Sequence, residues 1–255
     1  MYRVTAKDGT SIAFDRLGVG PAIVLVGGAA VDRSANAQLA HELAERFTVY
    51  NYDRRGRGES EDTLPYEVDR EIEDIAALIA EAGGAAHLFG ISSGGALALE
   101  AAATGLPIAR LAVYEVPYDV APDGPRRSRE YTDRLRALLA EGRRGEAFAL
   151  FMVTAGATEE MVEQARESPM WPGLEAIAPT LAYDAACLGD GHPPADRLPG
   201  IACPTLVATG GDFFARAADA IAELVPGAVR ETIEGQTHMV DPKALAPVLT
   251  RFLGQ

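Results

Sequence analysis

Cysteine is scarce in this chain: Cys187 and Cys203 are the only two in 255 residues. Their spacing suits neither a metal cluster nor a redox pair, so no metal site is expected and both are read as reduced thiols of a cytoplasmic protein. Long apolar runs are missing as well. No stretch approaches the roughly 18 residues of a membrane helix. The opening MYRVTAKDGT carries charges and no apolar centre, so it does not read as a signal peptide. Positive charge is in short supply, with 23 Lys and Arg against 37 Asp and Glu, a net charge of -14. Such a surface repels phosphate backbones and anionic lipid, which argues against nucleic acid or a membrane as partner. Its plainest use is solubility. The chain also has no internal repeat and no low-complexity tract.

What is present is apolar material, 48% of residues, enough to bury one large domain or one domain with an insertion. AIVLVGG (Ala22–Gly28) is a continuous β-rich run ending in glycine, the pattern of a strand buried on both faces of a parallel sheet. FTVYNYD (Phe47–Asp53), AHLFG, RLAVYE (Arg110–Glu115), PTLVATGG and VRETIEG are further strands. Helical spacing fills the intervals, as over Asp69 to Ala82, where Ile72, Ile75, Leu78 and Ile79 share a face and Gly83-Gly84 stops the helix. Asp241 is placed to cap a final helix, with Pro242 in its first turn. The alternation predicts a doubly wound, mostly parallel α/β fold. One segment breaks the rhythm. From Pro117 to Arg197 only helices are expected, one of them capped by Thr158, so residues 1–116 and 198–255 form the core and 117–197 an inserted helical layer. Such a layer lies over the C-terminal ends of the strands, where open α/β sheets bind ligands.

LFGISSGGALAL (Leu88–Leu99) places two serines in a turn from strand to helix. Gly90-Ile91-Ser92-Ser93-Gly94 fits G-x-S-x-G around Ser92; the same frame around Ser93 would need glycine at Ile91. A serine at the apex of so sharp a turn leaves no room for side chains at the flanking positions. Here the sequence resembles the α/β-hydrolase superfamily over its whole length. DRRGRGES (Asp53–Ser60) is similar to the turn after that family's fourth strand, GISSGG to its nucleophile elbow, and GQTHMVDP to the loop of its catalytic histidine. The resemblance implies that the insertion is a cap domain and that Ser92 is the nucleophile.

A serine hydroxyl attacks well only when a base takes its proton. Of four histidines, His41 and His87 fall within or beside core elements and His192 lies in a Pro/Gly-rich stretch. Only His238 sits on a late loop in the family's order of serine, acid, histidine. Two carboxylates compete for the third place. Asp212 follows the seventh strand, where the family usually carries its acid, although one position early. Glu115 ends RLAVYE, a second place the family uses, and a carboxylate there is costly to bury without a partner. Asp212 is set slightly ahead and both stay open. Backbone N–H groups of Ser93 and Ala29 are expected to form the oxyanion hole. Many members have His-Gly where this chain has Gly27-Gly28, which leaves the anchoring of that loop open.

Asp53, Arg54, Arg55 and Arg57 are read as ion pairs that hold their turn rather than as an anion site. The Ser93 hydroxyl is expected to be incidental. Phe148, Phe151, Met152 and Trp171 are candidate pocket residues in the insertion, though packing explains them as readily. Together these features point to a serine hydrolase acting on a small, largely apolar ester, lactone or thioester through an acyl-enzyme, with no cofactor. A cofactor-free lyase, a perhydrolase or a carbon–carbon bond hydrolase could reuse the same Ser-His pair. A non-catalytic ligand-binding protein on this fold is the remaining alternative.

Overall fold

The computed structural model describes residues 1–255. Eight strands form one sheet: β1 (Tyr2–Thr5), β2 (Ser11–Leu17), β3 (Ala22–Val26), β4 (Thr48–Tyr52), β5 (Ala86–Ile91), β6 (Ile108–Tyr114), β7 (Thr205–Thr209) and β8 (Val229–Thr232). Their order is β1-β2-β4-β3-β5-β6-β7-β8. Strand β2 runs against both of its neighbours, and every other pairing is parallel. The β1–β2 hairpin was not among the expected elements. It extends the sheet on the far side of β4, away from the elbow.

Alternate residues of each central strand feed two separate cores, as the period of two in a strand requires. Val24, Val26, Leu88, Leu111, Val113 and Val207 point to one face. There they meet α2 (Val68–Glu81), α3 (Ser93–Ala103) and α9 (Ala215–Leu224). Ile23, Leu25, Phe89, Ala112, Leu206 and Ala208 point to the other, against α1 (Ala37–Leu43) and α10 (Pro242–Leu253). Helix α10 begins as expected, with the Asp241 carboxylate accepting the Lys243 N–H at 2.9 Å. Helix α3 is buried from Ser93 to Leu99, which explains why its sequence offers no polar face. From β3 the chain passes to β4 on one side and from β4 back to β5 on the other, so β3 and β5 flank the switch point of the sheet. In a doubly wound fold the crevice opens at the carboxyl ends of those two strands.

Between β6 and β7 the chain builds only helices: α4 (Gly124–Ala140), α5 (Arg144–Thr154), α6 (Glu159–Arg166), α7 (Trp171–Ile177) and α8 (Leu181–Leu188). Thr158 caps α6 as expected, accepting the Met161 N–H. Helices α7 and α8 were not among the helices expected from the sequence. This layer has its own apolar centre of Leu135, Leu138, Phe148, Trp171 and Leu181. In it Phe148 and Trp171 meet edge to face with centroids 5.8 Å apart.

Buried charge joins the layer to the sheet. In the Asp53–Ser60 turn Arg33 pairs with Asp53, and Arg55 forks onto Asp74 at 2.8 Å through each nitrogen. Arg54 forks onto Glu71 of α2 at 2.7 Å and reaches Asp184 of α8 at 2.8 Å. Arg57 places Nη2 2.8 Å from both Asp184 oxygens. The arginines are therefore engaged in ion pairs, as the sequence suggested. Burial raises the Asp184 carboxyl, but Arg57 and Arg54 outweigh it and hold the group below its ordinary 3.8. Glu71 is likewise held below 4.5 against burial, by Arg54 first.

A carboxylate whose folded-state pKa is lowered adds stability above its unfolded value and loses it as pH falls through the folded one. The melting-temperature gap between wild type and Asp184→Asn should therefore be constant above about pH 5 and shrink toward about pH 3. Thermal melts across that range check this; a gap independent of pH would show that folding leaves the Asp184 pKa unchanged, and a gap that widens as pH falls would show that it is raised.

Candidate active site

The elbow is built by close approach of bare backbone. A Cβ on Gly90 would lie 2.4 Å from the Gly94 carbonyl oxygen, and one on Gly94 only 2.3 Å from that of Gly27. A side chain at Gly94 would push the elbow off the β3 loop, and one at Gly90 would push β5 away from the start of α3. Ser92 sits at the apex with φ 56 and ψ -129, a conformation L-residues avoid and one that marks functional strain. It stands at the N-terminus of α3, where the helix dipole favours negative charge.

Across the crevice, a Cβ on Gly28 would lie 3.2 Å from Ser92 Cβ and 3.8 Å from its Oγ. The Gly28–Ala29 peptide thus runs beside the serine. Neither the Ala29 nor the Ser93 N–H donates a hydrogen bond within the protein. Ala30, next in the loop, is also strained, with φ 52.

His238 follows β8, half-exposed, and its Nδ1 lies 2.9 Å from Glu115 Oε2. A carboxylate oxygen only accepts, so Nδ1 carries a proton and Nε2 is the free base. The other Glu115 oxygen accepts the Gly210 N–H at 2.8 Å. That pair of partners satisfies a carboxylate only 3% exposed. Glu115 is itself strained, with φ 47, which swings its side chain out of the path of β6 toward the β7 end. Its neighbour Tyr114 donates from its hydroxyl to the Thr237 carbonyl at 2.7 Å and so holds the histidine loop from the same strand.

Asp212, the carboxylate preferred from sequence, is exposed and forms no hydrogen bond or ion pair with His238. The correction has a local cause. After Gly210 the chain turns at once toward α9, with the Asp212 carbonyl accepting the Ala215 N–H, and this short turn faces Phe214 rather than Asp212 toward the imidazole. The Phe214 and His238 rings stand 5.1 Å apart. Phe213 and Met239 beside them are 87% and 88% exposed, so apolar surface surrounds the histidine.

The Ser93 hydroxyl is not incidental either. It is buried and donates to Asp184 Oδ1 at 2.7 Å, which ties the elbow to α8. Phe148 and Trp171 are buried in the centre of the inserted layer and serve as packing. Phe151 and Met152 are partly buried against that centre, as are Ala29 and Ala30 of the β3 loop. Asp184 and Phe214 were missed from sequence. The signal for Asp184 was present: a single carboxylate in the otherwise apolar run LAYDAACL needs a buried cation.

The arrangement is a strained serine, two unengaged amides beside it and an imidazole oriented by a buried carboxylate. Comparisons with known proteins bear on the family. The model of the alpha/beta hydrolase family matches residues 23–248. The crystal structure of an alpha/beta hydrolase from Sphaerobacter thermophilus DSM 20745 is 51% identical, covers 99% of this chain and 100% of its own, and superposes with a TM-score of 0.88. A thermophilic esterase from Thermogutta terrifontis is 26% identical over 99% of this chain and 97% of its own, with a TM-score of 0.71. The uncharacterized hydrolase YraK of Bacillus subtilis (strain 168) is 34% identical over 96 residues, 36% of this chain and about a third (35%) of that protein. With the elbow, the histidine loop and the sheet order in place, the match across nearly the whole length makes this chain a member of the α/β-hydrolase family.

Proposed function

We propose that the protein is a serine hydrolase that cleaves a small, largely apolar ester, lactone or thioester. The observation that carries this reading is Ser92, strained at the elbow beside the free Ala29 and Ser93 amides. In the first step Ser92 Oγ bonds to the acyl carbon and its proton passes to His238 Nε2. The carbonyl π pair moves onto oxygen, where the two N–H groups stabilise it. The C=O bond re-forms, the alcohol or thiol leaves, and it takes the proton from His238. Water then repeats the sequence on the acyl-enzyme, with its proton passing to Nε2, and the acid is released as Ser92 is reprotonated. Glu115 fixes the imidazole tautomer and supports its cationic form.

The inserted helices, over residues 117–197, serve in this reading as a cap that shapes the acyl pocket. Support comes from their apolar centre, which reaches the β3 loop at Ala29 and Ala30. Phe213, Phe214 and Met239 add apolar surface on the histidine side. The esterase from Thermogutta terrifontis, similar over nearly the whole chain, supports ester chemistry.

Ser92→Ala should lower kcat toward a chromogenic short-chain ester by about 10⁶ and abolish labelling by a fluorophosphonate. Equal labelling of wild type and variant would remove Ser92 from the mechanism. Glu115→Gln should lower kcat by about 10⁴, as loss of the orienting acid does in other triads. Asp212→Asn should leave it within about threefold, since an exposed carboxylate with no bond to His238 neither orients nor charges the imidazole. The reverse ranking in steady-state assays would restore Asp212 as the acid.

A further inference from the structure

The β3 loop lacks the family's His-Gly, yet it must hold a peptide in register with a transition state. The geometry points to Arg57 as the positioning residue of the oxyanion hole, acting through the Gly28–Ala29 peptide. This rests on the reading of Ser92 as nucleophile. Arg57 is fully buried and its Nη1 donates to the Gly28 carbonyl oxygen at 2.6 Å. That oxygen and the Ala29 N–H belong to one peptide unit, which is planar and trans. Fixing the oxygen therefore fixes the direction of the N–H on the opposite edge. A charge-assisted bond to the carbonyl also polarises the amide and strengthens its N–H as a donor.

The second arm depends on the same guanidinium. Nη2 of Arg57 holds both Asp184 oxygens, and Asp184 Oδ1 accepts the hydroxyl of Ser93, the residue that carries the other oxyanion N–H. One planar fork thus bridges the two arms, directly at Gly28 and through Asp184 at Ser93. Arg57 Nε, in contrast, is buried with no partner. Leaving a buried donor unpaired is costly. The side chain is thus posed for the two contacts of its terminal nitrogens, not for full use of its five donors. Arg54, which also pairs with Asp184, reaches the loop only at the Gly27 carbonyl, at 3.4 Å, one peptide short of Ala29.

The test uses a short alkyl trifluoromethyl ketone labelled with ¹³C at its carbonyl. Ser92 Oγ adds to that carbon, its proton passes to His238 Nε2, and the π pair becomes the oxyanion, with no leaving group. The ¹³C shift then titrates with the oxyanion. Arg57→Met should raise that adduct pKa by about one unit, a tenfold loss of oxyanion stabilisation. Toward a short-chain ester kcat should fall about tenfold with KM little changed. Arg57→Lys keeps a cation against Asp184, but one ammonium cannot span both contacts. It should show the same direction of change, and it carries the test if the methionine variant does not fold. Adducts in wild type and both variants with equal oxyanion pKa, alongside a lowered melting temperature, would overturn the proposal and leave Arg57 a packing residue. A wild type that forms no adduct, or forms it equally in Ser92→Ala, would overturn the nucleophile reading itself and the proposal with it.

Discussion

Two backbones meet without side chains where β3 and β5 end. The Gly94 position lies so close to the Gly27 carbonyl that even a methyl group would separate them. Everything else in the site is measured from that contact. It sets the distance between Ser92 and the Gly28–Ala29 peptide. It also explains why α3 must be small and apolar: the helix starts inside the crevice and runs directly under the inserted layer. The sheet supplies the rigidity, since β3 and β5 are hydrogen-bonded neighbours with Val26 opposite Gly90.

Charge does at the next level what glycine does at the first. Arg54, Arg57, Glu71 and Asp184 are all buried, two cations against two anions. Burying such pairs gains little net stability, because desolvation offsets most of the attraction, but breaking one leaves an unpaired charge and costs about 3–5 kcal/mol. Such a network therefore selects one arrangement of turn, α2, α8 and elbow over its alternatives. The stacked rings of Tyr66 and Tyr183, with centroids 3.7 Å apart, and the Tyr66 hydroxyl on Glu71 close the same junction from the outside.

Much of this was legible in the sequence. The apolar runs ending in glycine located β3 and β5, the G-x-S-x-G frame selected Ser92 over Ser93, and the position of His238 in chain order identified the histidine loop. What escaped was three-dimensional adjacency. Glu115 and Asp212 each follow a strand end, and choosing between them requires the length and direction of the turn after Gly210, which residue types do not specify. The same limit applied to Ser93: nothing in GISSGG says that its hydroxyl faces a carboxylate 91 positions later in the chain. Helices α7 and α8 escaped because a Pro-containing one-turn 3₁₀ segment at Ala178–Thr180 joins them with no clear stop signal. The β1–β2 hairpin was missed for a different reason, since β1 is short and lies at an exposed edge and β2 interleaves Asp15 and Arg16 with its apolar residues.

Glu115 is the first residue after β6, ahead of the inserted helices. With the imidazole anchored on β6, the turn between β7 and α9 is released from holding a charge. Phe213 and Asp212 can change there without touching the Glu115–His238 pair. That turn is therefore free at its exposed middle, while its two ends, Gly210 and Phe214, stay against the pair.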